Sequence, residues 1–295
     1  MARQKIRILS DGTIDLPTDW VEKYNIGILP TQIMIEDREK PYRSYIDISP
    51  EEFFEKLLKV NEIPTTSVPK QGDIYKIYDE SLKKYESLIV LAHSSKISSS
   101  YYLAKKVAEM FPDKDITVID SNTITIMEGL LVYEAAKMAQ LGNPKEEIID
   151  RLNKLIPHTH GIAILKSLDY LRKSGRISIA KHFIGNLGNF RPIIAVEDGL
   201  VKNIGKIKGF ENGIELLKKR IPNILKNRKT NTIAILHALM PEEANDLKEF
   251  ILKQEKNVPE KVETFLLGPV LGTHVGPYCL GIGWIGDWNQ NWFKK

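Results

Sequence analysis

The chain has 295 residues, 42% of them apolar and 27% charged, with a mean hydropathy of -0.23. One large or two medium globular domains are expected, and disulfide-stapled, fibrous and disordered classes are excluded. The formal charge of +4 comes from 42 basic against 38 acidic side chains spread along the chain, which gives no nucleic-acid footprint.

The longest apolar runs, such as Leu88 to Ala92, stop far short of the roughly 20 residues of a membrane span. Met1 to Asp11 carries Arg3, Lys5 and Arg7 among strand formers and no apolar core of a signal peptide, so a cytoplasmic address is expected. A single cysteine, Cys279, cannot form an internal disulfide, which agrees with a reducing compartment.

Along the chain, short apolar strands alternate with amphipathic helices. Lys5 to Asp11, Ile26 to Ile35, Ser87 to His93 and Asp115 to Asp120 read as strands. Ser49-Pro50-Glu51-Glu52 starts a helix, with a capping serine, proline in the first turn and acids at the positive end of the helix dipole. Helices follow from about Gln71 to Tyr85, after Ser98, and from about Thr125 to Leu141, the last ending at Gly142.

This alternation predicts a parallel sheet with helices on both faces, whose ligands lie beyond the carboxyl ends of the strands. After Pro157 the pattern changes. Gly161 to Leu165 reads as a strand, Ser167 to Lys173 as a short helix, and Arg191 to Lys202 as a hairpin turning at Glu197-Asp198-Gly199. Helices near Glu211 to Lys226 and Pro241 to Lys253 alternate with strands Thr232 to His237 and Val262 to Leu267. The expectation is an α/β chain of two domains, residues 1–156 and 157–295, with a site in the cleft between them.

Three segments carry candidate chemistry. Pro64-Thr65-Thr66-Ser67-Val68-Pro69 sets three hydroxyls just before a helix. Helix capping is the commoner use of such a segment, and anion binding is the other. Ser94-Ser95-Lys96-Ile97-Ser98-Ser99-Ser100 holds five serines between a strand and a helix, either a polar loop or a pocket for a carboxylate or phosphate. Leu271-Gly272-Thr273-His274-Val275-Gly276-Pro277 reads as a glycine-rich turn presenting Thr273 and His274.

Phosphate-loop, dinucleotide and serine-nucleophile signatures are missing, and the pair His158 and His160 lacks partners at metal-ligand spacing. On these residues alone, an enzyme acting on a small anionic or phosphorylated substrate, with His274 as acid or base, is one candidate. A regulatory interaction protein docking through its basic Arg172 to Arg176 turn is another.

In order, Asp11-Gly12-Thr13-Ile14-Asp15-Leu16-Pro17, Pro64 to Pro69, Ser94 to Ser100, Leu168 to Ile177 and Gly272 to Pro277 resemble the five blocks of the DegV family of bacterial fatty-acid-binding proteins. The resemblance implies a two-domain α/β fold: an N-terminal parallel-sheet α/β/α domain and a second α/β domain with a mixed sheet. It also implies a buried long-chain fatty acid of the palmitate, oleate or stearate class.

By the same resemblance the protein is a carrier without catalytic residues or cofactor of its own. It would present the carboxylate to a separate ATP-dependent kinase subunit, whose acyl phosphate feeds phospholipid synthesis. The carboxylate would meet Thr66, Ser67 and a serine of the pair Ser94 and Ser95, with Thr273 and His274 closing the site. Arg172 and Arg176 would face the kinase partner. The chain departs from the family at Ser98-Ser99-Ser100, where Ser-Gly-Thr is usual, at Gly12, at Lys70 and at Tyr278.

Overall fold

A computed structural model describes residues 4–176, 189–289 and 292. Four parallel strands form the first sheet in the order β2, β1, β6, β7: β1 is Gln4–Asp11, β2 Gly27–Leu29, β6 Tyr85–Ala92 and β7 Asp115–Asp120. Strand alternation sorts their apolar side chains into two layers. Leu9, Leu88 and Val90 pack on helices α3 (Gln71–Leu82) and α4 (Ser100–Ala108). Ile8, Ile89 and Leu91 face the other way, toward α5 (Thr125–Gln140).

Ile26 to Ile35 is not one strand. Pro30 has no backbone N–H to offer a ladder, and the chain leaves β2 there to enter a small antiparallel sheet of β3 (Gln32–Met34), β4 (Tyr42–Arg43) and β5 (Thr65–Ser67). The segment around Thr66 is therefore a strand edge rather than a helix cap. Lys70 takes the N-cap position of α3 and makes no side-chain capping bond. Where Ser49 was expected to cap, it does: its Oγ accepts from the Glu52 amide at 3.1 Å and opens α2 (Pro50–Leu57).

The second sheet is mixed and has six strands in the order β10, β9, β8, β13, β11, β12. Their ranges are β8 Thr159–Leu165, β9 Phe190–Glu197, β10 Leu200–Lys208, β11 Arg228–Ala238, β12 Lys261–Leu266 and β13 Cys279–Gly286. Asp198 and Gly199 turn the β9–β10 hairpin with φ of 52° and 74°, the two positive values that a two-residue type I′ turn requires.

β13 runs down the middle of this sheet between β8 and β11. The sequence hides it, because Gly281, Gly283 and Gly286 read as breakers. Leu280, Ile282 and Trp284 point from it to one core, with Ile214, Leu217 and Ile221 of α8 (Phe210–Lys226) and Ala244, Leu247 and Ile251 of α9 (Pro241–Leu252). Gly281 and Gly283 line the opposite face, where a Cβ on Gly283 would come within 3.2 Å of Ile126 in α5. The C-terminal aromatic stretch docks on this domain through Trp288, stacked on His160 at 5.7 Å.

Helix α5 is buried on nearly every side because both sheets pack against it. Its N-terminus is fixed by a carboxyl group. Asp15 is buried; one of its oxygens accepts from the Thr125 hydroxyl and the other from the Gly268 amide at 2.9 Å. Gly268 opens α10 (Pro269–Val275), so Asp15 ties the first sheet to both helices. Asp15 and Thr125 both sit at positive φ, 48° and 57°, a costly conformation for a β-branched threonine.

Burial raises the Asp15 carboxyl from 3.8 to about 7, against the lowering effect of the Thr125 and Gly268 hydrogen bonds. The folded state thus holds this proton more tightly than the unfolded chain does, so the contribution of Asp15 to stability is greatest in acid and falls as pH rises from about 4 to about 7. The full difference corresponds to roughly 4 kcal/mol. Asp15→Asn removes this ionisation, and the slope of unfolding free energy against pH across that window should become shallower in urea titrations. An unchanged slope would show that Asp15 does not titrate there.

Candidate functional site

A cavity of about 470 Å3 lies between the two sheets, within the roughly 300–1,000 Å3 of ordinary ligand pockets. One part of its wall is polar: Thr13, Thr31, Thr66, Ser67, His93, Ser98 to Ser100, His274 and Arg176. The rest is apolar and leads to a second, smaller pocket of about 60 Å3. The two share Ile124, Ile194, Val201, Leu271 and Val275, and the inner one runs between α5 and strands β8, β9 and β13.

The polar end is built from local structure. β5 presents Thr66 and Ser67, and Thr66 Oγ1 lies 2.8 Å from His274 Nε2 on α10. Residues 272–275 are therefore helical, not the glycine-rich turn expected from sequence; the turn is confined to Gly276, at φ 75°. Gly272 is needed for packing instead, since a Cβ there would come within 2.4 Å of Phe53 in α2.

Burial pushes His274 down to about 4, with the electrostatic effects of Arg176 and His93 adding to it, so it is neutral near pH 7. An imidazole that resists protonation to this extent is a poor general acid. As a neutral hydrogen-bonding group beside Thr66 it suits an anion well.

Two of the expected site hydroxyls are engaged elsewhere, and a third residue lies off the cavity. Ser94 Oγ donates to the Gly199 carbonyl at 2.7 Å, joining the serine loop to the β9–β10 hairpin. Lys96 Nζ adds a second bond to the Asp198 carbonyl there. Ser95 does not line the cavity; its amide faces the Asp120 carboxylate at 3.3 Å. Thr273 is fully buried and returns its hydroxyl to the Pro269 carbonyl one turn back at 3.0 Å. The serines that do face the cavity are Ser98, Ser99 and Ser100, at the start of α4.

Thr31 also lines the wall, and its buried hydroxyl has no hydrogen-bond partner. Nothing in its sequence context marked it, because it follows Pro30 in what read as one strand. Arg176 is exposed and lines the cavity as well. Arg172 is half-buried on α7 (Asp169–Lys173), 3.7 Å from Asp169. Ile177, the end of that block, lies outside the described residues.

A second large cavity, about 530 Å3, opens between α2 and β12. Asp15, Asp47, Glu51 and Glu52 line it, which makes it a poor receptor for an anion.

Comparison with known proteins bears on the fold and the family together. The family model for DegV, described as an uncharacterised protein family, matches residues 5–287. A DegV domain-containing protein of Caldanaerobacter subterraneus is 33% identical over 279 residues, covering 95% of this chain and 98% of its own.

Among solved structures, one reported as fatty acid binding of a DegV family protein from Thermus thermophilus superposes with a TM-score of 0.87 at 26% identity, covering 96% of this chain and all of that one. DegV of Bacillus subtilis, described as a fatty acid binding protein, gives 0.81 at 27% identity over 96% of this chain and all of its own.

The engagement of Ser94 can be checked without a ligand. Ser94→Ala leaves the buried Gly199 carbonyl short of a donor and should cost roughly 1–3 kcal/mol of unfolding free energy, read from denaturant midpoints. A wild-type midpoint would show that this bond does not hold the hairpin to the serine loop.

Proposed function

Because this chain belongs to the DegV family, we propose that it binds a long-chain fatty acid, with the acyl chain along the apolar wall and the carboxylate among the hydroxyls at the other end. The observation that carries this reading is the division of one cavity into a hydroxyl-lined end and an apolar inner extension. Fatty acid binding by the Thermus and Bacillus relatives supports it.

The energetics agree in size. Each buried methylene contributes about 0.8 kcal/mol, so roughly 14 of them give an upper bound near 11 kcal/mol before the costs of binding. A buried carboxylate needs several hydrogen bonds, worth roughly 1.5–3 kcal/mol each when one partner is charged. Thr66, Ser67, the serines at the start of α4 and the unpaired Thr31 hydroxyl offer them. Arg176 supplies a positive charge at the exposed rim.

On this reading the protein is a carrier formed by two domains, residues 1–156 and 157–295, rather than an enzyme. A separate ATP-dependent kinase subunit would phosphorylate the carboxylate, docking beside Arg172 and Arg176, and the acyl phosphate would enter phospholipid synthesis. The position of Arg176 at the edge of the cavity supports a role at that handover.

Mass spectrometry of organic extracts from the purified protein tests the binding reading. A fatty acid near one equivalent is expected in the native protein. Thr66→Val should fold normally and bind palmitate or oleate roughly tenfold to a hundredfold more weakly. A native protein that carries no acyl chain and takes up neither acid would overturn the proposal.

A further inference from the structure

Under the polar end of the cavity lies a buried set of ionisable groups that carboxylate binding, as argued so far, does not use. Asp11 at the end of β1, His93 just past β6 and Glu128 in the first turn of α5 are all buried, and their ligand-capable atoms lie within 4.8 Å of one another. Thr13 Oγ1 stands among them, 2.5 Å from Asp11 Oδ1, 3.1 Å from Glu128 Oε2 and 3.4 Å from His93 Nδ1. Thr13 and His93 also line the cavity.

The spacing suits protons better than a metal ion. Two ligands of one tetrahedral zinc ion sit about 3.3 Å apart, given bonds of about 2.0–2.1 Å. His93 Nδ1 and Asp11 Oδ2 are 2.5 Å apart, and a hydroxyl fills the middle of the group.

Counting hydrogens then assigns the charges. Asp11 receives the Thr13 amide and hydroxyl on one oxygen and the His93 amide and ring on the other. Burial works to raise its pKa, but the electrostatic pull of the His93 ring and these bonds outweigh it and hold the carboxyl below its usual range. Ser10 Oγ lies 2.9 Å from the Leu91 carbonyl and 3.0 Å from Glu128 Oε1, and its one proton serves only one of them. With the Thr13 proton given to Asp11, Glu128 must supply a proton itself. Burial, helped by the Asp11 charge, holds Glu128 protonated.

His93 is thus fixed with Nδ1 toward an ionised Asp11, leaving Nε2 as its nitrogen for the cavity. In a neutral ring with the proton on Nδ1, Nε2 is an acceptor, and a carboxylate guest is also an acceptor. The two would repel.

We propose that His93 takes up a proton when a carboxylate enters the cavity, so that its imidazolium bridges Asp11 and the guest and each binding event draws one proton from solvent. This rests on the fatty-acid reading above. The other ionisable groups around it do not replace it. Glu128 from α5 already holds its proton, Asp15 is committed to Thr125 and Gly268, and Arg176 beyond α7 is permanently charged. His274 on α10 faces Thr66 through Nε2.

The test is titration calorimetry of the delipidated full chain with decanoate, in HEPES and in Tris at matched pH. The apparent enthalpies should differ by the heat of moving about one proton per decanoate, and Kd should weaken as pH rises. His93→Gln should bind decanoate with that difference abolished, while Glu128→Gln keeps it.

Binding by the native protein with equal enthalpies in both buffers at every pH would overturn this inference and leave the fatty-acid reading standing. Proton uptake that survives in His93→Gln would also overturn it, placing the proton on the guest, on Asp15 or on His274. A native protein that binds no fatty acid would overturn both.

Discussion

The Asp15 carboxyl is the constraint on which the cavity depends. It accepts from Thr125 at the head of α5 and from Gly268 at the head of α10, and those two helices carry much of the cavity wall. Ile124 immediately precedes one of them, while Leu271, His274 and Val275 lie on the other. A carboxyl that burial raises to about 7 at this junction, with two residues at positive φ, is a costly joint. Its cost is offset by the apolar side chains that α5 buries against both sheets.

From that joint the division of the cavity follows. Parallel strands end in polar residues because their carboxyl ends face the crevice, and here Asp11, His93 and Asp120 mark those ends. The mixed sheet contributes the opposite surface, where glycines on the α5 side of β13 keep the wall low enough for an apolar extension. Hydroxyls at one end and aliphatic side chains at the other require both halves of the chain. The Ser94 bond to Gly199 and the Lys96 bond to Asp198 close the same gap from the outside.

How much of this was legible depended on how locally each feature is encoded. Helix α2 was readable to its cap because Ser49, Pro50 and two acids act within one turn. The β9–β10 hairpin was readable because Asp198-Gly199 dictates the turn on its own. β13 was not, since its glycines make sense only when α5 packs over them. Residues 272–275 misled for the same reason: Gly272 is small to admit Phe53, a contact more than two hundred residues distant in sequence.

Each hydroxyl-rich segment borders the cavity, but which hydroxyl faces it could not be read from sequence. Ser94 and Thr273 are turned to backbone carbonyls by the fold, and Ser98 to Ser100 and Thr31 face the cavity.

Charge repulsion governs the acids packed beneath the polar end. Asp11, Asp15 and Glu128 are buried close enough for each charge to bear on the others, and three anions together in a low-dielectric interior would repel strongly. The fold resolves this by distributing protons. Asp11, with an imidazole and two amides as partners, carries the charge, and Glu128 stays neutral. On the proposed reading, an anionic guest above such a set would add one more negative charge, and the titratable group between guest and acid would be the histidine. Charge balance, more than any single hydrogen bond, then decides how tightly the polar end of the cavity can hold a carboxylate.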